Sequence, residues 1–261
     1  MSDFIGLSKD LIYDKWKMMN WVVIVELIAF VVIFLLRLIT GGFDGNFMPS
    51  YFVAIFAFET VLASLVGFVM LSRSNEQVFT SNNYRLIPVS DTKLYFGNIL
   101  TTLLAYIYLQ IIEGILGNIV MFMAGGNLSG ISINPAIGHS EIASMIGIFI
   151  LMILGTILMW TGITVIHFLI GWISGFLPFG RQKFVTFILY FVVTCIGLMI
   201  FNFTTGNVVK FLYTHMSTQG ITNLNQLNNV LWISCGITFV WIAIFTLLNI
   251  YLLKRWTETI R

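Results

Sequence analysis

The sequence predicts an all-α integral membrane protein: six transmembrane helices preceded by an N-terminal amphipathic interfacial helix. Three observations carry this prediction. The chain is 58% hydrophobic and only 9% charged, whereas a soluble domain is about a quarter charged; one globular core could not bury so much apolar surface beneath a wettable exterior. The apolar residues gather in long runs, and a run of about 20 residues is what a helix needs to cross a bilayer. Basic residues are shared unevenly between the segments joining these runs.

The first element is residues 1–19. In SDFIGLSKDLIYDKWKMM, Phe4, Ile5, Leu11, Ile12, Trp16 and Met19 recur at helical spacing, with Lys9, Asp10, Asp14 and Lys17 mostly on the other face. That pattern suits a helix lying in the membrane interface, with Lys and Trp as anchors. The N-terminus has no basic region followed by a short apolar run and a cleavage site, so no removed signal peptide is expected.

Spans follow at about 21–39, 51–71, 94–123, 142–170, 184–201 and 230–253. The turn-rich GGFDGNFMP closes the first, and the third is long enough to tilt or protrude. Ile142 to Leu177 runs 36 residues without Asp, Glu, Lys or Arg, enough for one long span or two short ones. Charge decides between them. With one span, eleven of the thirteen Lys and Arg residues lie on the cytoplasmic side together with both termini, leaving Arg37 and Lys210 outside. Two spans would put Arg181, Lys183 and the basic C-terminus outside, against the positive-inside rule. Residues around Gly171, Gly175 and Pro178 are then expected to form a bend or short helix at the cytoplasmic surface. Segment 202–229 is too polar to span, and Val208–Met216 is a candidate short surface helix. Residues 1–261 read as a single transmembrane domain, multi-pass in the cell membrane.

Other classes are excluded. A net charge of +2 with no Lys/Arg stripe argues against nucleic acid. Cys195 and Cys235 lie in apolar runs and read as small buried hydrophobes, without a disulfide or metal site. No Gly-Lys dipeptide occurs, so a phosphate-binding G-x-x-x-x-G-K-[ST] loop is ruled out; no H-E-x-x-H or dinucleotide fingerprint is present either. Ser129 in GGNLSG lacks the context of an intramembrane serine protease. The chain reads as no enzyme, without catalytic residues.

Ionisable side chains inside spans cost a few kcal/mol each unless paired or facing a cavity. They are Glu26 and Arg37 in the first span, Glu59 in the second, Glu113 in the third and His167 in the fourth. Depth along the helices predicts an ion pair from Arg37 to Glu113 or Glu59, and a meeting of Glu26 with His167. Such groups either fix helix packing or handle substrate or protons. Gly147, Gly155, Gly162, Gly171 and Gly175 allow close helix approach.

The polar segment 72–93 is the most distinctive. Val78, Phe79, Leu86 and Ile87 are apolar residues in a segment that otherwise belongs in water, with Arg73, Glu76 and Arg85 around them. Apolar anchors within a polar rim are the usual anatomy of an interface; the alternative is a loop that dips into lipid headgroups. Pro88 stops any helix before it, and Ser90 or Asp91 can cap the third span.

This layout, with the stretch NNYRLIPVSDTKLYFGNIL at 82–100, resembles the membrane-spanning permease subunits of bacterial six-span (type-2, G-subfamily-like) ATP-binding-cassette exporters. The resemblance implies a dimer of permeases, identical or related, docked to two copies of a separate ATPase. Residues Arg73, Glu76, Val78, Phe79, Arg85, Leu86 and Ile87 would form the coupling loop. No cofactor is implied in this chain; ATP and magnesium would sit in the partner. The cargo implied is hydrophobic or amphipathic, such as a peptide, antimicrobial or lipid, exported by alternating access. The turn GFLPFGRQK is short and departs from the pattern, leaving a second coupling contact without support. Two other readings remain. One is a proton- or cation-coupled secondary transporter using Glu26, Glu59 and Glu113, and the other is a non-transport membrane protein for immunity or peptide binding.

Overall fold

The computed structural model describes residues 2–41, 49–81, 89–123, 139–176, 183–216 and 224–259. They form six helices: α1 (Ser2–Gly41), α2 (Pro49–Thr80), α3 (Asp91–Met123), α4 (His139–Phe176), α5 (Lys183–Met216) and α6 (Leu224–Thr259). No strand occurs among the described residues. All six helices are long and apolar enough to cross a membrane. Large apolar side chains such as Phe58, Phe149, Phe187, Phe203 and Leu247 are more than 60% exposed. On so many helices, such faces mark a surface made for lipid rather than water. The chain is a multi-pass membrane protein.

The helices outrun the predicted spans. The shortest has 32 residues and the longest 40, roughly 48 to 60 Å at 1.5 Å per residue. A hydrocarbon core is only about 30 Å thick, so each helix tilts or projects beyond it. Three sequence expectations change accordingly. The separate interfacial helix is not formed, because α1 continues without a break from Ser2 to Gly41; no Pro or Gly interrupts residues 7–40. Nor does its N-terminal part lie flat with Leu11 and Met19 in lipid. Leu7 and Leu11 instead pack with Val78 of α2 and Leu94 of α3. Helix α4 runs through Gly171 and Gly175, where a bend was expected. Helix α5 extends to Met216, so residues 202–216 prolong the fifth span rather than leaving it.

The chain divides into two compact units, Met1–Ile133 and Asn134–Arg261. In the first, all three helix pairs pack, α1 against α3 most broadly. Ring contacts give the register. Phe34 meets Phe52 at 5.2 Å and Phe30 meets Phe56 edge-on at 5.5 Å. Phe68 meets Tyr106 at 6.4 Å and Phe79 stacks on Tyr95 at 5.5 Å. Along each pair the numbers run in opposite directions, so α2 is antiparallel to both neighbours and α1 is parallel to α3. Gly67 makes the close approach possible: a Cβ there would lie 2.6 Å from Leu109 Cδ2 and 3.4 Å from Met19 Sδ.

In the second unit α4 packs chiefly on α6 and less on α5. Two of the small residues singled out in the sequence make that contact. A Cβ on Gly147 would sit 3.5 Å from Leu231, and one on Gly162 would sit 3.4 Å from Phe245. Gly155 and Gly175 face open space. Side-chain hydrogen bonds fix the same seam: Ser144 Oγ donates to Asn228 Oδ1 at 2.6 Å, and Asn249 Nδ2 donates to Thr161 O at 3.0 Å. Trp241 Nε1 donates to Thr205 Oγ1 at 3.1 Å, tying α6 to α5. Cys195 and Cys235 are both free thiols.

Candidate functional site

The buried stripe of α1 reads Leu7, Leu11, Lys15, Met19, Val22, Val23, Glu26, steps of three and four, doubled at Val22 and Val23, that keep one helix face inward. Two of these seven residues are ionisable, and each defines a polar layer in the first unit.

The first layer surrounds Lys15, which is 1% exposed. Its Nζ lies 2.6 Å from Asn98 Oδ1, 2.7 Å from Thr102 Oγ1 and 2.9 Å from Asn98 O. Thr101 Oγ1 at 3.0 Å and Asn75 Oδ1 at 3.2 Å complete the set. Asn98, Thr101 and Thr102 converge because positions three and four apart share a helix face. Asn75 comes from α2 at the matching antiparallel level. The Asn75 amide must present its oxygen, since an NH2 group aimed at the ammonium would repel it.

The second layer lies further along the bundle. Eleven residues separate Lys15 from Glu26, a rise of about 16 Å. Here Glu26, Glu59 and Glu113, one from each helix, are 5%, 7% and 3% exposed. Thr60 Oγ1 donates to Glu26 Oε1 at 3.1 Å. Ser64 Oγ and Gln110 Nε2 donate to Glu113 Oε2 at 2.7 and 3.1 Å. Glu26 Oε2, Glu113 Oε1 and both Glu59 oxygens have no hydrogen-bond partner. Glu26 is close enough to Glu59 and Glu113 for the carboxyls to interact electrostatically. Between the layers, Met19, Leu71, Ala105 and Leu109 form an apolar step, each fully buried.

Three of the five intramembrane residues expected from sequence therefore meet within the first unit. Arg37 is exposed and lies about 16 Å beyond Glu26 along α1, past the level where Phe34 meets Phe52. Neither Glu59 oxygen has a hydrogen-bond partner and Glu113 Oε2 takes Ser64 and Gln110, so neither carboxyl is hydrogen-bonded to Arg37. The depth argument failed because aromatic contacts, not the centres of apolar runs, set the register. His167 belongs to the second unit, where Nδ1 and the Tyr190 hydroxyl share a hydrogen bond of 2.8 Å; Glu26 takes Thr60. Comparison with protein-family models, curated proteins and solved structures finds no match to this chain. The arrangement itself must carry the functional reading.

The expected coupling segment is also reshaped. Residues 72–80 are not a loop; they are the last turns of α2. Val78 and Phe79 are 3% and 1% exposed, Val78 against Leu7, Leu11 and Leu94, Phe79 against Tyr95. Their apolar surface is spent inside the chain. Arg73 is exposed and Glu76 half-buried. Arg85, Leu86 and Ile87 lie outside the described residues. No cluster of His, Cys, Asp and Glu among the described residues can hold a metal ion.

Sequence reasoning passed over Lys15, Asn75, Asn98, Thr101 and Thr102. A signal was present: Lys15 interrupts an i, i+4 series of Leu7, Leu11 and Met19. Asn98, Thr101 and Thr102 likewise place three polar groups on one face of an apolar span.

Proposed function

We propose that this chain is the membrane-spanning permease subunit of an ATP-driven exporter of a hydrophobic or amphipathic substrate. The observation that carries the reading is a set of six helices of membrane-crossing length and composition in a sequence with no phosphate-binding loop of its own. On this reading the energy for transport comes from a separate ATPase, and the 82–100 stretch supports an attachment on the side that holds the α2–α3 connection. With Val78 and Phe79 committed to the interior, the described part of the docking surface is left to Arg73 and Glu76.

Affinity purification of the chain from its native membrane is expected to recover an ATPase, with Arg73→Glu weakening recovery but leaving thermal unfolding unchanged. Recovery of the chain without any nucleotide-hydrolysing partner, and transport indifferent to ATP, would overturn this reading. A second reading has an observation in its favour: the buried carboxyls of Glu26, Glu59 and Glu113, four of whose oxygens are unpartnered. They suit a proton- or cation-coupled transporter, and transport driven by a proton gradient in ATP-free vesicles would select it.

A further inference from the structure

We propose that Asn75, Asn98, Thr101 and Thr102 form a monovalent-cation site whose resident ion is the Lys15 ammonium, tethered so that it latches the N-terminal part of α1 onto α2 and α3. The site lies within the first unit alone and is independent of what the chain transports.

Coordination is the first ground. An ammonium has three protons to donate, yet five oxygens stand within 3.2 Å of Nζ. A shell with more acceptors than the donor has protons surrounds a charge rather than serving a set of directed bonds.

Proton placement is the second. Thr101 Oγ1 can donate to Asn98 O at 2.9 Å, and Thr102 Oγ1 to Asn98 O at 2.7 Å or to Asn75 Oδ1. With those protons committed, both hydroxyls turn lone pairs toward Nζ. The amide of Asn98 is held likewise, its Nδ2 donating to Asn75 O at 3.3 Å, which leaves its oxygen for the cation.

The ligand chemistry sets the class of ion. Every ligand is a neutral amide, carbonyl or hydroxyl oxygen, without a carboxylate. Such a set lacks the charge that holds a strongly hydrated divalent ion and suits a large, weakly hydrated monovalent ion such as ammonium or potassium. A groove also lies against the Lys15 side chain. Half-open and about 460 Å³ in volume, it is bordered by Asp14 and Met18 of α1 and Ser74 and Gln77 of α2. Asp14 places a negative charge at that groove.

A buried charge tolerates this position only because the oxygens replace its water. Removing the side chain back to Cβ should leave the oxygens in place and the charge missing. The test is thermal unfolding of the detergent-purified full chain in ammonium, potassium and N-methylglucamine chlorides at equal ionic strength. Lys15→Ala is expected to unfold at lower temperature, with at least half of the loss recovered in ammonium or potassium and none in N-methylglucamine. Lys15→Met, which fills the same space without charge, should be destabilised and unresponsive to salt. Identical behaviour of Lys15→Ala in all three salts, or a Lys15→Met variant as stable as the parent, would overturn the proposal.

If Lys15→Ala yields no folded protein in any salt, amine acetylation of the parent chain decides, read residue by residue by mass spectrometry. Exposed Lys9 and Lys17 should react freely, and Lys15 at least about tenfold more slowly, because reaction needs a local opening. Asn98→Ala, which removes one ligand, should speed acetylation of Lys15 alone. Lys15 reacting as fast as its neighbours, or protection unaltered by Asn98→Ala, would overturn the proposal.

Discussion

Phe79 lies face to face with Tyr95, ring centroids 5.5 Å apart and planes within 19°, each side chain 1% exposed. The pair fastens the last turn of α2 to the first turns of α3, immediately on either side of the polar connection. Phe79→Ala should therefore cost about 3 kcal/mol or more of stability, as large-to-small core changes do, with Phe79→Leu milder. Phe79→Asp should prevent folding rather than release a partner selectively. Thermal unfolding in detergent distinguishes these outcomes.

Gly67 offers a change of sign. Alanine in a helix interior is favoured over glycine by about 1 kcal/mol, but here the new methyl would stand 2.6 Å from Leu109 Cδ2. Gly67→Ala in the parent chain is expected to destabilise it by about 1 kcal/mol, at the low end of overpacking costs. In a Leu109→Ala background the clash is gone, and the same change should stabilise. A double-mutant cycle measures the coupling directly.

Two of the three carboxyls, Glu59 and Glu113, should respond in opposite ways to removal. Glu59 has neither oxygen satisfied, so Glu59→Leu is expected to raise stability by about 1–3 kcal/mol, on the scale of an ionisable group in a membrane interior. Glu113→Leu takes its acceptor from the part-buried Ser64 hydroxyl, whereas the exposed Gln110 amide keeps Ser64 Oγ, and should lower it by about 1–3 kcal/mol. Unfolding temperatures of the two variants, measured side by side with transport, separate packing from function. A Glu59→Leu chain that is more stable yet transports less marks that carboxyl as functional.

Much of the fold was legible. Long apolar runs predict the helices directly, and the uncharged run that begins at Ile142 is one helix as far as Phe176, where charge placement required a single span. The boundaries were not. Composition separates water from lipid, whereas helix ends depend on local chain stiffness, so α1 and α2 continue past the points where hydropathy falls. The polar clusters were legible only in part. Glu26, Glu59 and Glu113 stand out in apolar sequence, but which ones meet depends on register, and register comes from contacts such as Phe30 with Phe56 and Gly67 with Leu109. Lys15 was hidden for a simpler reason: among Lys9, Asp10, Asp14 and Lys17 it looks like one more wet charge, and only its i±4 relation to Leu11 and Met19 places it inward. Val78 and Phe79 were misread by the same proximity effect. Apolar residues beside a polar stretch suggested an outward handle, yet Val78 faces Leu7, Leu11 and Leu94 and Phe79 faces Tyr95.

The apolar step formed by Met19, Leu71, Ala105 and Leu109 has an electrical meaning. It offers neither donors nor acceptors to a water file, so it insulates the Lys15 layer from the carboxyl layer. Those four side chains give a proton at Glu26 no relay toward Asn98 or Thr102.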